Sequence, residues 1–440
     1  MTSHVLHGDG AALERSTVTR LRRNAVVCTI VGNSLEWFDF ASYAYLATVI
    51  SSQFFSSADR ATALIAAFAV FGIGFISRPL GAVVIGRIGD VKGRKFALMV
   101  TMPMMGLGTL VIGLLPTYWQ IGVTAPLLLV CCRLIQGFSA GGDSGNVTTY
   151  LMEWAPSNRR GVYSSLSNIT AVGGTVVGSG LAAALSTLLS PDALQSWGWR
   201  VPFLIGGLII APLSYYLRTK VDETPDFLIE QRNEGTTKAD EGDRASVWIG
   251  GLQTLGISGC WFVTHYVFLV YAPAFIILHG RIHGAAPLWF ATGGLFMLMV
   301  GAFIAARLSD SLGRKPLILA GAIGFMVFAY PSFVIFRNSD SYWLVGLTLF
   351  TDGSLVGIFA GVCTAAMAEL FPTRLRTTGV SIGYGLSVAI FGGFASVIAE
   401  YLIRLTGYEL APSFYVIGAA VLSFLTTLTL KETAHLPLKR

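Results

Sequence analysis

GRIGDVKGRK, residues 86–95, returns as RLSDSLGRK at residues 307–315, so that Asp90, Gly93, Arg94 and Lys95 recur as Asp310, Gly313, Arg314 and Lys315. Each copy is a short basic loop between long apolar stretches. A second echo follows the first in both places, EWAPSNRRG at 153–161 and ELFPTRLRTTG at 369–379. The chain is therefore predicted to consist of two related halves. Working outward from the repeats gives twelve apolar segments, each close to the ~20 residues a helix needs to cross a bilayer. Their approximate limits are 24–52, 62–86, 96–115, 122–153, 161–189 and 200–217, then 246–277, 285–306, 316–336, 342–367, 378–403 and 411–430. The repeated basic loops follow the second and eighth segments.

The composition agrees: 53% of the residues are hydrophobic and 12% charged, against ~25% charged in soluble domains. An all-α membrane protein of twelve transmembrane helices in two six-helix halves is predicted. The residues up to Arg23 are polar and lack an apolar signal core, so the first segment is expected to stay as an anchor. With the N-terminus in the cytoplasm, most of the 30 Lys and Arg fall on that side. The positive-inside rule thus accounts for the net charge of +6 without a nucleic-acid partner. Both termini are expected to be cytoplasmic. A polar, mixed-charge stretch divides the protein into a bundle at 1–217, a linker at 218–245 and a second bundle at 246–440. Two parallel six-helix repeats with a midplane site between them are the architecture of alternating-access transporters. The five cysteines, Cys28, Cys131, Cys132, Cys260 and Cys363, lie in apolar stretches without metal spacing and read as small core residues.

D-x-x-G-R-K in both halves, with RLIQGFSAGG in the fourth segment, resembles the major facilitator superfamily. Within it, GNSLEWFDFASY, FISRPLG, QGFSAGG, WGWRVPF, DETPDF and ELFPTRLRTTG are similar to the metabolite:proton symporter family. Members of that family carry citrate, α-ketoglutarate, related carboxylates or betaine-type osmolytes. The resemblance runs from Gly32 to Gly379 and beyond. The chain departs from the family at Asp143, where glutamate is usual, and at Gly385, where asparagine is expected.

Six ionisable residues fall well inside the segments: Glu36, Asp39, Arg78, Arg133, Asp143 and Asp352. An unpaired charge at that depth costs several kcal/mol, so these are expected to face the bundle interior. At ~1.5 Å per residue, Glu36, Asp39, Arg78 and Asp143 share one layer about 12 to 23 Å from the cytoplasmic end. Glu36 and Asp39, three apart, lie on one helix face with Asn33 and Tyr43. Arginine stays protonated and presents a planar fork to carboxylates, which makes Arg78 and then Arg133 the candidate substrate-carboxylate ligands. The competing reading is that both only neutralise Asp39 and Glu36. Proton coupling needs a carboxyl whose affinity for a proton swings between desolvation and a nearby cation. Asp143 is the first candidate, then Glu36, then Asp39; a plain hydroxyl-satisfied Asp143 is the alternative. His265, Tyr266 and Tyr271 of the seventh segment are placed where the second half closes over substrate, or else are packing donors. Asn146, Gln136 and Asn168 are further lining candidates.

In the superfamily the repeated loops latch the halves together on the cytoplasmic side. The resemblance therefore assigns Asp90, Arg94, Asp310 and Arg314 a conformational role, against simple anchoring by the basic residues. GGTVVGSG at 173–180 reads as a helix-packing stripe. No Walker-type phosphate loop occurs, and no cofactor is expected; the proton gradient is the predicted drive. The sequence reading is a monomeric, proton-coupled symporter in a bacterial inner membrane, importing a small anionic carboxylate, most simply a di- or tricarboxylate. Uptake of a zwitterionic osmolyte or an aromatic acid is the alternative, and a non-transporting sensor a distant one. An enzyme is not expected.

Overall fold

The computed structural model describes residues 27, 29–34, 36–56, 59–92, 94–153, 160–219, 241–370 and 383–432. Among them, eleven helices are long and apolar enough to cross a membrane. The first predicted span, α1, is helical over 29–34 and 36–45 and continues as Ala47–Phe54. Then come α2 (Arg60–Ile76 and Arg78–Lys92), α3 (Arg94–Leu114), α4 (Thr124–Glu153) and α5 (Arg160–Leu188). Next is α6, built from Val201–Ile205, Gly206–Ile210 and Ala211–Thr219, which completes the first half. The second half holds α7 (Glu241–Thr264, His265–Tyr271, Ala272–His279), α8 (Ala286–Leu312), α9 (Arg314–Asn338) and α10 (Tyr342–Leu370). It ends with α11 (383–387, Val388–Gly392, Ala395–Thr406) and α12 (Ala411–Thr429). The twelve segments read from the sequence are therefore twelve helices. The predicted linker is shorter, because α6 runs to Thr219 and α7 starts at Glu241; residues 220–240 lie outside the described residues.

Glycine sets how closely the helices pack in each half. A Cβ at Gly137 would sit 1.6 Å from the Gly74 carbonyl oxygen, and one at Gly141 would sit 2.0 Å from that of Arg78. The helices α2 and α4 thus cross backbone to backbone. The second half repeats the device between α8 and α10, where a Cβ at Gly353 would lie 2.1 Å from the Gly294 oxygen. The stripe at 173–180 packs as expected: Gly174 and Gly178 take the backbone of α1, with Cβ positions 1.8 Å from the Ser34 oxygen and 2.7 Å from that of Phe38.

We call the end that carries the 220–240 segment the inner end. Near the outer end the halves are in close contact. Trp289 Nε1 of α8 donates to Thr187 Oγ1 of α5 at 3.1 Å, and Thr292 Oγ1 donates to Ser179 Oγ at 3.0 Å. Arg404 of α11 donates to Thr62 Oγ1 of α2 at 2.6 Å. Tyr45 of α1 donates its hydroxyl to the Leu269 carbonyl of α7. Bare backbone also meets here: a Cβ on Gly72 of α2 would stand 2.7 Å from the Gly393 oxygen of α11. Towards the inner end the described link is a weak one, Asn168 Nδ2 to Thr364 Oγ1 at 3.4 Å.

Three helices, α6, α7 and α11, contain a π-helical segment. The i→i+5 bonding of such a turn brings residues five apart onto one side. In α7 this turns both Tyr266 and Tyr271 toward α2, where Tyr266 packs on Phe71 and Phe75 and Tyr271 on Phe68.

Candidate functional site

The glycine-mediated crossing of α2 on α4 sinks the start of Arg78–Lys92 into the protein, and Arg78 is only 5% exposed. Its guanidinium lies over three rings, 4.4 Å from the centroid of Phe75, 4.6 Å from Phe40 and 5.5 Å from Trp37. Buried Nε and Nη2 have no hydrogen-bond partner, and no carboxylate pairs with Arg78 among the described residues. Cation–π contacts of this kind supply ~0.5–2 kcal/mol each. They hold the charge in place but leave its N–H fork unsatisfied. Phe75 in turn meets Tyr266 of the second half at 5.8 Å, and the charges of Arg78 and Glu36 both reach the Tyr384 hydroxyl of α11. Tyr384 closes an aromatic wall with Phe262 and Trp261, at 5.2 and 6.1 Å. Beside it, a Cβ on Gly385, the position where an asparagine was expected, would meet nothing within 4 Å among the described residues.

Arg133, fully buried, shares the unpartnered Nε and Nη2 but differs in having a carboxylate neighbour. Its Nη1 donates to Gln136 Oε1 at 2.9 Å and stands 3.5 Å from Asp39 Oδ2. Gln136 passes the contact on, its Nε2 donating to Asp39 Oδ2 at 2.7 Å and to Thr109 Oγ1 at 2.9 Å. Asp39 Oδ1 is buried with no partner. The guanidinium also covers the Tyr43 ring at 3.9 Å and lies 5.8 Å from the centroid of Phe40. A single phenyl ring, Phe40, is thus flanked by both arginines.

The predicted layer of four charges is split by this arrangement. Arg78 faces the second half and Asp39 lines a crevice inside the first half between α1, α3 and α6, while Glu36 borders that crevice and its charge also reaches Tyr384. The side chains of Asp143 and Asn146 lie outside the described residues, as do those of Asp90, Arg94 and Asp310. Asn33 is taken up by helix packing, its Nδ2 donating to Ser167 O at 2.7 Å and Thr170 Oγ1 at 2.9 Å. Tyr43 is likewise occupied, donating to the Ala67 carbonyl at 2.9 Å. Tyr266 is brought to the Arg78 cage; His265 rests edge-on against it at 5.1 Å. Tyr271 is not brought there. Its hydroxyl donates to buried Glu400 Oε2 at 2.6 Å, and His279 Nε2 stands 3.4 Å from Glu400 Oε1. Asp352 accepts from Ser332 at 3.0 Å, within the second half.

Arg314, the described member of the predicted latch, is tied within its own half. Its Nη2 lies 3.5 Å from Glu369, and its backbone N–H donates to Glu432 Oε1 at 2.9 Å. Glu432 also accepts from the Lys315 N–H at 3.0 Å, so a carboxylate caps the start of α9 where the helix dipole favours it. Gly313 makes the preceding turn with φ of 97°, a conformation that disfavours side chains. Trp37, Phe75, Tyr384, Thr109, Glu400 and Glu432 escaped the sequence reading. Phe75 had a visible signal, since it stands three residues before Arg78 on one helical face.

Comparison with known proteins places this geometry in context. A family model described as sugar (and other) transporter matches residues 25–246 and 258–440. The glycine betaine/proline/ectoine/pipecolic acid transporter OusA of Dickeya dadantii is 33% identical, over 95% of this chain and 85% of that one. The proline/betaine transporter of Escherichia coli is 31% identical over the same shares. A citrate-proton symporter of Klebsiella pneumoniae is 34% identical over 94% of this chain and 92% of its own. The fold matches the xylose transporter XylE of Escherichia coli, with a TM-score of 0.77 at 18% identity over 95% of this chain and all of that one.

Proposed function

The chain belongs to the sugar (and other) transporter family of the major facilitator superfamily, and from that premise we propose that it takes up a small zwitterion with one carboxylate, driven by protons. It is a transporter and not an enzyme. The observation that carries the substrate reading is Arg78: a buried guanidinium at the interface of the halves, with an unsatisfied fork and no carboxylate partner among the described residues. A fork of this kind takes a carboxylate in bidentate fashion. One such fork suits one carboxylate, and the surrounding rings of Trp37, Phe40, Phe75 and Tyr266 suit an apolar or quaternary-ammonium body. The transporters of proline and betaine among the relatives support the same class.

Asp39 is the proton site in this reading. Gln136 holds Oδ2, so a proton added at Oδ1 leaves that bond whole and removes the charge opposite Arg133. Leaving one member of a buried ion pair uncompensated costs about 3–5 kcal/mol, which is ample to bias a two-state rearrangement. The ring of Phe40, between the two guanidiniums, links the events: substrate capture at Arg78 and release of Arg133 reach the same side chain. The basic loops support a topology with both termini inside, the bacterial relatives support an inner-membrane location, and an inward proton gradient would make the coupled movement import. Asp90, Arg94 and Asp310 retain their proposed role as an inner-end latch.

A di- or tricarboxylate is the second reading, favoured by the citrate-proton symporter among the relatives. It requires a second guanidinium, and Arg133, whose Nε and Nη2 are unpartnered, is the candidate, with its charge already shared by Asp39 at Nη1. The two readings separate in proteoliposomes with an imposed proton gradient. Accumulation of labelled betaine or proline, abolished in Arg78→Ala, is expected. Accumulation of citrate alone, tightening as the pH falls, replaces the zwitterion with the polycarboxylate. Accumulation of either solute without a proton gradient removes the coupling.

A further inference from the structure

The crevice between α1, α3 and α6 has no part in holding the substrate. It is a partly open cleft with about 20 Å³ of room, enough for about one water, and is lined by Glu36 and Asp39 of α1, Met102, Met105 and Thr109 of α3, and α6 from Gly206 to Ser214. No residue of the second half contributes to it. Its α6 wall is about 12 Å long at 1.5 Å per residue, and its far end, Ser214, is close to the inner terminus of that helix at Thr219.

Three independent features mark the crevice as a place for water. First, two buried polar atoms facing it have no partner, Asp39 Oδ1 and Ser214 Oγ, the latter on a residue 1% exposed. An unmet buried group costs ~1–3 kcal/mol, and a bridging water recovers most of that. Second, two carboxylates and two hydroxyls stand in an otherwise apolar wall, which gives a single water the two to four polar partners it needs. Third, the π-helical segment Gly206–Ile210 forms one wall, and irregular backbone is tolerated at membrane depth where it lines such a space. The helices close tightly alongside: a Cβ on Gly106 would lie 2.2 Å from that of Ala211, and one on Gly207 would lie 2.5 Å from that of Leu110.

We infer that this crevice holds a water that relays the proton from Asp39 toward the Ser214 hydroxyl and the inner end of α6, by a route that the substrate never enters. The inference rests on the proposed proton site at Asp39. The proton leaves Asp39 Oδ1 for a bound water, passes by way of the Ser214 hydroxyl and reaches inner solvent, leaving the carboxylate to recover Arg133. No bond other than O–H bonds is made or broken.

Ser214→Val and Ser214→Thr test it, because they match in shape and differ in a hydroxyl. In proteoliposomes, Ser214→Val is expected to slow proton-driven accumulation by about tenfold, the loss of one well-placed bridging contact. Exchange of labelled for unlabelled substrate, which moves no net proton, should stay near wild type, and Ser214→Thr should restore accumulation. Wild-type accumulation in Ser214→Val, or equal loss in both variants, overturns the relay. A measurement on the unmodified protein stands beside these: radiolytic hydroxyl labelling finds buried methionines that lie against water. Met102 and Met105, 5% and 6% exposed, should be modified well ahead of Met367, at 0%; equal protection of all three overturns the inference without any variant. Asp39→Asn separates the premise from the inference. If it still accumulates substrate, the proton site itself is wrong; if it only exchanges while Ser214→Val accumulates normally, the site stands and the relay falls.

Discussion

The two halves share a scaffold and differ in how they bury charge. Lys95, at the start of α3, donates to the Thr219 carbonyl at the end of α6 at 3.3 Å; Lys315, at the start of α9, does the same to Leu428 and Leu430 at the end of α12, at 2.8 and 2.9 Å. The repeated motif therefore repeats a structural task, a cation on a helix C-terminus. In the interior the likeness stops. Among the described residues every buried arginine, Arg78, Arg133 and Arg218, belongs to the first half. The second half buries Asp352 and Glu400 with hydroxyl and imidazole partners only. A permanent cation beside a carboxylate can answer both an anion and a proton, so the proposed coupling chemistry falls in the first half, and the second half contributes the aromatic wall of Trp261, Phe262 and Tyr384.

The sharpest way to break this contrast is to remove a cation. Arg133→Ala leaves Asp39 uncompensated and should lower stability by about 3–5 kcal/mol, read from thermal unfolding of the purified protein. Asp352→Asn, which keeps a hydrogen bond to Ser332, should cost about 1 kcal/mol or less. Equal losses would mean that the halves bury charge alike. Phe40→Leu should come next: removal of a ring that two guanidiniums cover should cost about 1–2 kcal/mol and lower the accumulation ratio more than it lowers exchange. Glu432→Gln, which weakens the carboxylate cap on α9, is expected to cost about 1 kcal/mol.

The smallest effects sharpen the shared part of the comparison. Lys95→Ala and Lys315→Ala should each cost about 0.3–1 kcal/mol, and in equal measure if the repeat is a true repeat. The helix starts differ instead. Asp59 caps α2 by accepting from the Ala61 and Thr62 N–H groups, whereas α8 has no side-chain cap. The Thr62 hydrogen bond foremost, with those backbone N–H groups, holds the Asp59 carboxyl below its usual range. Its contribution is thus present above the ordinary carboxylate range and lost as the pH falls through the lowered value. Asp59→Asn should reduce the acid sensitivity of α2 opening, measured by hydrogen exchange, and leave α8 unchanged.

Much of the fold was legible because bilayer thickness and backbone hydrogen bonding leave little choice once apolar stretches of the right length are counted. The motifs that repeat at 86–95 and 307–315 pointed to the halves, and the glycine stripe at 173–180 to the close packing of α5 on α1, whereas the crossings at Gly137, Gly141 and Gly353 emerged only from the structure. The site was harder to read. Arg78, Arg133, Glu36 and Asp39 were visible as charges out of place, but depth along a helix does not say which face a side chain takes. The separation of Arg78 from Asp39 depends on facing angle, set by the crossing of α2 on α4. Glu400 also escaped, since its segment resembles an ordinary helix end until Tyr271 and His279 are seen around it. Tyr271 was expected at the substrate from its place in the seventh segment, but its hydroxyl is taken by buried Glu400, a partner that its own segment does not reveal.

The contact between Gly72 and Gly393 has a mechanical consequence. The main chains meet directly there, with the Phe394 ring beside Gly72 and the Phe75 ring beside Gly393, so the two backbones themselves are the surface on which one half can tilt against the other. A bulky residue at Gly72 would turn that bearing into a notch and slow rocking by friction at the pivot. The same change at Gly393 would also press on Phe75, so the pivot and the Arg78 cage are felt at one place.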